Sequence, residues 1–133
     1  MIKTELNYRV LYAHTDKMGV VYYGRYFEYF EAGRNDMLRK IGFPYSMLEK
    51  VNYALPVIEA AAKYFASAKY DDEVLIVSYL KSIPTVKVKI EYEIMKNEIL
   101  LVSGFTVHSF VDIQKMKPVR PPENFIQTVK KYF

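Results

Sequence analysis

The sequence predicts an α+β domain in which an antiparallel sheet of five strands covers one long helix. Three observations carry that expectation. Large apolar residues recur at steps of three and four between residues 23 and 41, the spacing changes to two around residues 86 to 94, and short turns separate the strand-like segments. With 133 residues, 51% hydrophobic and 16% aromatic, the chain is long enough for one buried core. No internal repeat or low-complexity linker divides it, so residues 1–133 read as a single domain.

The first strand comes from Ile2, Thr4, Leu6, Tyr8 and Val10, which alternate with polar neighbours. Asp16-Lys17-Met18-Gly19 suits a type I turn with Asp at its first position and Gly at its last. A helix is expected from about Tyr23. Its stripe is Tyr26, Phe27, Phe30, Met37, Leu38 and Ile41, completed by Gly33 and Arg34, and Lys40, Gly42 and Pro44 are stop signals. A short helical or loop segment follows near 44–50, then strands over 56–68, 73–82, 86–94 and 98–112.

The strand over 86–94 is the clearest: Val86, Val88, Ile90, Tyr92 and Ile94 alternate with Lys87, Lys89, Glu91 and Glu93, giving one buried and one wet face. In the last strand Ile99, Leu101, Phe105, Val107 and Val111 are expected to share a face, after a tight hairpin at Lys96-Asn97-Glu98. A final helix begins near Pro122. One helix cannot cover both faces and the edges of such a sheet, so the remaining aromatic-rich surface favours oligomerisation.

Composition narrows the chemistry. There is no Cys, and His14 and His108 are the only histidines, which removes disulfides, thiolate nucleophiles and thiolate metal sites and leaves little for a metal centre. Carboxylates, hydroxyls and backbone groups must do the work. The net charge of +4 is spread along the chain and reads as a solvated surface, with a phosphorylated cofactor ahead of nucleic acid as an anionic partner. The start, MIKTELNYRV, lacks the apolar run of a signal peptide, and no stretch is long and apolar enough to span a bilayer. A cytoplasmic protein is expected.

Residues 14–34 are the candidate site, because Asp16 and a Gly turn run directly into an aromatic-rich helix whose first N–H groups lie a few residues away. Taken alone, Asp16 reads as a turn or capping residue, and Tyr23 as a core or interface aromatic. Glu31 is a second carboxylate on the helix, with a solvated or ion-paired role as its ordinary reading. His14 and His108 read as structural, and neither is the base.

The run Tyr8-Arg9-Val10-Leu11-Tyr12, then Thr15-Asp16-Lys17-Met18-Gly19-Val20-Val21-Tyr22, then Tyr26, Phe27, Phe30, Glu31, Ala32 and Arg34 resembles the hotdog-fold acyl-CoA thioesterases of the 4-hydroxybenzoyl-CoA thioesterase-like family. Tyr70-Asp71-Asp72-Glu73, Val111-Asp112 and Lys117-Pro118-Val119-Arg120 extend the likeness over nearly the whole chain with weaker motifs. The resemblance implies a sheet wrapped around the helix at 23–41, two protomers sharing a continuous sheet, dimers that often pair into tetramers, and active sites at the dimer interface. It places the catalytic carboxylate on Asp16. Many relatives carry His at the position of Tyr23, whereas a branch with Tyr there presents the backbone N–H of that residue to the thioester carbonyl.

The chemistry of thioester hydrolysis agrees with that carry-over. A carboxylate at Asp16 can attack the carbonyl carbon or act as general base toward water. The N–H groups near Tyr23 and Gly24 can bind the oxyanion, a contribution of about 3 to 4 kcal/mol per donor. Tyr22 and Gly24 are expected to line the substrate, and Lys81, Lys117 and Arg120 are candidates for the phosphates of coenzyme A, which belongs to the substrate; no separate cofactor is implied. An acyl-carrier thioester is the other possible substrate form. Rival readings are a non-catalytic acyl-CoA binding or regulatory hotdog, a hotdog hydratase, for which the required His is missing, and a nucleic-acid-binding sheet.

Overall fold

A computed structural model describes residues 1–133. The strands are β1 (Ile2–Arg9), β2 (Tyr53–Ala54), β3 (Val57–Tyr64), β4 (Glu73–Leu80), β5 (Lys87–Lys96), β6 (Ile99–Ser109), β7 (Val111–Asp112) and β8 (Lys117–Pro118). The helices are α1 (Tyr26–Lys40), α2 (Tyr45–Lys50) and α3 (Glu123–Lys130), and 3-10 turns cover Tyr12–His14 and Tyr23–Arg25. Five strands form one antiparallel sheet in the order β1-β4-β5-β6-β3, and β2-β7-β8 form a small second sheet. This is the hotdog arrangement expected from the sequence, with the sheet curled around α1.

The helix buries Tyr26, Tyr29, Phe30, Gly33, Met37 and Leu38. Phe30 stacks on Tyr92 of β5 with centroids 4.5 Å apart and planes 7° from parallel, so the middle of α1 is fixed over the middle of the sheet. Two glycines permit that closeness. A Cβ at Gly33 would stand 2.6 Å from Ser78 Oγ and 2.7 Å from Ile76 Cγ2, and one at Gly104 would press on the Ala61 carbonyl and lie 2.7 Å from the Phe30 ring. Helix α1 ends where Gly42 adopts φ +86° and Phe43 N–H returns to the Leu38 carbonyl at 2.9 Å.

Several expectations need correction. The α-helix starts at Tyr26, because residues 23–25 form a 3-10 turn, and Phe27 lies on its open side while Tyr29 takes the core position. The strand expected over 56–68 ends at Tyr64. The last long strand stops at Ser109, and Val111 belongs to the small sheet. Its core face is Val102, Gly104, Thr106 and His108, which pair with Ile94, Tyr92, Ile90 and Val88, so Phe105 and Val107 point outward. An irregularity opposite Ile94 and Met95 interrupts the alternation at Leu101, which is how Leu101 and Val102 are both buried. The hairpin between β5 and β6 is as tight as expected: Asn97 and Glu98 have φ of 48° and 67°, the signature of a two-residue type I′ turn.

A buried polar chain runs through this core. His108 Nδ1 lies 2.9 Å from the Leu55 carbonyl, which only accepts, so the ring proton sits on Nδ1 and Nε2 accepts from Thr106 at 2.8 Å. Thr106 then accepts from the Tyr92 hydroxyl at 2.7 Å, and Tyr92 accepts from Arg34 Nη1 at 3.4 Å. Every donor and acceptor has one direction, and the imidazole is neutral. Burial pushes its pKa down to about 4, with the Leu55 bond opposing and the Arg34 charge adding to the fall.

The two edges of the main sheet differ. On β1, Lys40 Nζ reaches the Glu5 carbonyl at 2.5 Å. On β3 every residue except Ala62 is exposed, with Ile58 at 52% and Tyr64 at 45%. No helix in the chain is long and apolar enough to cross a membrane.

Candidate active site

The site begins with a small hairpin. Asp16 N–H reaches the Val20 carbonyl at 2.8 Å, Gly19 N–H reaches the Asp16 carbonyl at 3.0 Å, and Gly19 takes φ +79°. This is the predicted turn, closed by the pairing of Thr15 with Val21. Met18 N–H donates to Asp16 Oδ1 at 2.8 Å. One carboxylate oxygen is thereby committed to the turn, and Oδ2 has no partner in the protein. Asp16 is half-buried.

The hairpin is anchored on both sides. Val21 N–H reaches the Ala68 carbonyl and Tyr22 N–H the His14 carbonyl, each at 2.9 Å. His14 is buried, and its Nδ1 faces Leu11 N–H at 3.3 Å and the Tyr29 hydroxyl at 2.9 Å. Since a backbone N–H can only donate, Nδ1 is the unprotonated nitrogen and Tyr29 donates as well. Burial raises the Tyr29 phenol far above its ordinary pKa and keeps it protonated. His14 therefore ties the loop to Tyr29 of the helix.

The 3-10 turn at Tyr23–Arg25 then leads into α1. Arg25 N–H closes on the Tyr22 carbonyl at 2.9 Å, and Tyr26 N–H on the Tyr23 carbonyl. The N–H groups of Tyr23 and Gly24 make no hydrogen bond within the protein, as the first donors of a helical segment do unless something caps them. They are free donors at the start of the 3-10 turn that runs into α1. Gly24 also keeps the backbone uncovered, because a Cβ there would stand 3.0 Å from the Tyr22 ring.

Two separate open cavities lie along α1. One, of about 190 Å³, lies between Tyr23, Tyr26, Tyr64 and Phe65. The other, of about 340 Å³, lies between Phe27, Glu28, Glu31 and Arg34 of the helix and Val57, Ala60 and Thr106 of the sheet. The Tyr64 hydroxyl points at the Tyr23 carbonyl at 3.4 Å, and its pKa is raised, first by burial and then by Tyr23. The exposed run Tyr23, Phe27, Glu31, beside half-buried Arg34, is a second stripe, so Phe27 and Arg34 do not belong to the core stripe expected for the helix. Its polar members were the available signal.

Asp16, Tyr22, Tyr23 and Gly24 thus lie on one hairpin and the helical turn that follows it. The three basic candidates do not. Lys81 follows the far end of β4, whereas the hairpin packs against residues 68–72 at its near end, so roughly 25 Å of strand separates them. Lys81 is ion-paired with Glu91 at 3.2 Å on the outer face of the sheet. There it borders a cavity of about 600 Å³, an open depression that contains none of the Asp16 cluster. In that depression Tyr79 donates to Glu93 at 2.6 Å, which pushes its phenol up to about 12. Lys117 and Arg120 are exposed in and after β8, on the small sheet that packs near α2, beyond the C-terminal end of α1.

Comparison with known proteins gives the family. Residues 10–129 match the family model described as the thioesterase-like superfamily. The chain is 34% identical to the acyl-CoA thioesterase YbgC of Haemophilus influenzae over 86% of this chain and 85% of that protein. It is 31% identical to the acyl-CoA thioester hydrolase YbgC of Escherichia coli O6:H1, over 92% of each. The solved structure of the DHNA-CoA thioesterase from Staphylococcus aureus superposes with a TM-score of 0.94 at 29% identity, covering 99% of this chain and 91% of the other. The chain belongs to the thioesterase-like superfamily.

Proposed function

We propose that the protein hydrolyses acyl-CoA thioesters, with Asp16 as the catalytic carboxylate and the N–H groups of Tyr23 and Gly24 as the oxyanion donors. One observation carries this reading: a carboxylate oxygen without a partner and two N–H groups without acceptors lie on the same short stretch of chain. The thioester carbonyl oxygen accepts from the two amides, which face it before the reaction and need no reorganisation as charge develops on it. Asp16 either takes a proton from an attacking water or attacks the carbon itself to give a mixed anhydride that water then opens. In both routes the C–S bond breaks, coenzyme A leaves as its thiol after gaining a proton, and the acyl group leaves as the free acid.

The acyl group takes the space along Tyr23 and Phe27, and two copies complete the site by adding their β3 edges to each other. Antiparallel pairing of the two β3 strands sets the far end of one protomer beside the Asp16 end of the other. Lys117 and Arg120 meet the coenzyme A phosphates from the partner in this arrangement. The homodimer, alone or doubled to a tetramer, acts in the cytoplasm and uses the same site for an acyl-carrier thioester. Thiol release from a panel of short, long and aromatic acyl-CoAs tests the reading. Turnover of some member supports it, and binding without thiol release across the panel replaces it with an acyl-CoA binding protein.

A further inference from the structure

Arg34 has no counter-ion. Of the five arginines, Arg9, Arg25 and Arg39 each have a carboxylate within 4.0 Å, and Arg120 is exposed to solvent. Arg34 is half-buried, and its one polar contact is the Tyr92 hydroxyl. A cation withdrawn from water without a carboxylate is costly, so a partner is missing from the isolated chain. Glu31, three residues earlier on the same side of α1, has no cation within reach either, since Arg34 is drawn down to Tyr92. The two lone charges line one cavity, which opens toward the bare edge of β3.

Opposite charges without partners, side by side on a surface next to an unpaired sheet edge, are what a self-complementary interface requires. In a two-fold dimer every contact is reciprocal: if one residue meets a second, the second meets the first. Joining two β3 edges antiparallel also lays the two α1 helices antiparallel. Glu31 and Arg34 are about 4.5 Å apart along the helix axis, so a two-fold passing between their levels sets each opposite the other. We infer that Glu31 and Arg34 form reciprocal ion pairs across the two-fold axis of a dimer of this chain, closing the cavity that they line. The inference rests on the β3-edge dimer proposed above and names the charges that fix its register. The Tyr92-Thr106-His108 chain holds Arg34 in place for that contact.

Charge reversal tests this in a way that separates pairing between chains from pairing within one. A Glu31→Arg chain carries two cations on this surface and an Arg34→Glu chain two anions. Each variant alone sets like charges opposite each other twice per dimer, and its dimer dissociates at least about tenfold more readily than wild type in sedimentation dilution series. Mixed in equal amounts, the two form a heterodimer that holds to within about threefold of wild type, although like charges remain neighbours within each chain. Circular dichroism confirms that both variants fold. Should Arg34→Glu not fold, Glu31→Arg must weaken the dimer well beyond Glu31→Gln, and equal effects overturn the pairing. A dimer that neither reversal weakens, or a mixture that associates no better than its components, also overturns it. Wild type that stays monomeric at every concentration instead refutes the β3-edge dimer itself.

Discussion

Gly33 on α1 lies directly over Ser78 of β4, so close that a methyl group on the glycine would stand 2.6 Å from the serine Oγ. Ser78 Oγ is buried and has no hydrogen-bond partner. The contact sets the height of the helix over the sheet, and with it the position of the helix start beside Asp16. Replacing Gly33 by Ala gains about 1 kcal/mol of helix propensity, against about 1 to 3 kcal/mol for overpacking. A net loss of stability is expected in chemical denaturation. Ser78→Ala alone is expected to be neutral or slightly stabilising, since it removes a buried hydroxyl that bonds to nothing.

Gly104 is the stricter of the two close approaches. A Cβ there meets the Ala61 carbonyl, which is backbone in the adjacent strand and cannot turn aside, as well as the Phe30 ring. Gly104→Ala is therefore expected to cost more than Gly33→Ala, roughly 3 kcal/mol, and to loosen β3 from β6. Hydrogen exchange in β3 checks this, and amides that exchange as slowly as in wild type would count against it.

His108 predicts a pH window. Its folded pKa of about 4 lies below the ordinary value of 6.5, so between those values the unfolded chain binds more protons. Stability is complete above about 6.5 and falls as the pH drops toward 4, by at most about 3 kcal/mol. Asp72 acts in a separate range. Burial opposes its ionisation, but hydrogen bonds from Lys96 and the Lys69 amide outweigh that and hold its pKa below 3.8. Urea unfolding across the window should show the slope in wild type and a flattened one in His108→Gln.

Two substitutions separate the side chain of residue 23 from its main chain. If the N–H groups carry the oxyanion, Tyr23→Phe keeps turnover within about threefold, because the backbone donors remain. Gly24→Ala places a methyl group 3.0 Å from the Tyr22 ring and beside the same amides, and is expected to lower kcat by tenfold or more, about 1.4 kcal/mol. Steady-state kinetics on one acyl-CoA compares the two. The reverse ranking would move the role to the phenol.

Much of the fold was legible because its signals are local. The alternation in Val86–Ile94 needed one sequence and one period, and it appears as the buried face of β5. The turn at Asp16–Gly19 was legible for the same reason, since Gly19 takes the left-handed conformation that its position demands. Features that depend on distant pairings were not. The face of β6 turned out opposite to the expected one because a bulge at Leu101 and the need for Gly104 beneath Phe30 decide it, and neither shows in the apolar count. Phe27 was placed in the core because helical spacing does not say where a stripe ends. Lys81 is a phosphate candidate only through the family resemblance, and the length of β4 carries it to the opposite end of the sheet from the Asp16 hairpin.

Asp16→Asn is the most direct test of the proposed chemistry. Met18 N–H donates to Asp16 Oδ1, and an asparagine oxygen accepts that bond equally well, so the turn survives while charge and basicity are lost. The account predicts that the variant still binds acyl-CoA with unchanged circular dichroism and melting temperature, and that thiol release falls a hundredfold or more, about 2.7 kcal/mol of barrier. Turnover within a fewfold of wild type would contradict it and remove Asp16 from the reaction.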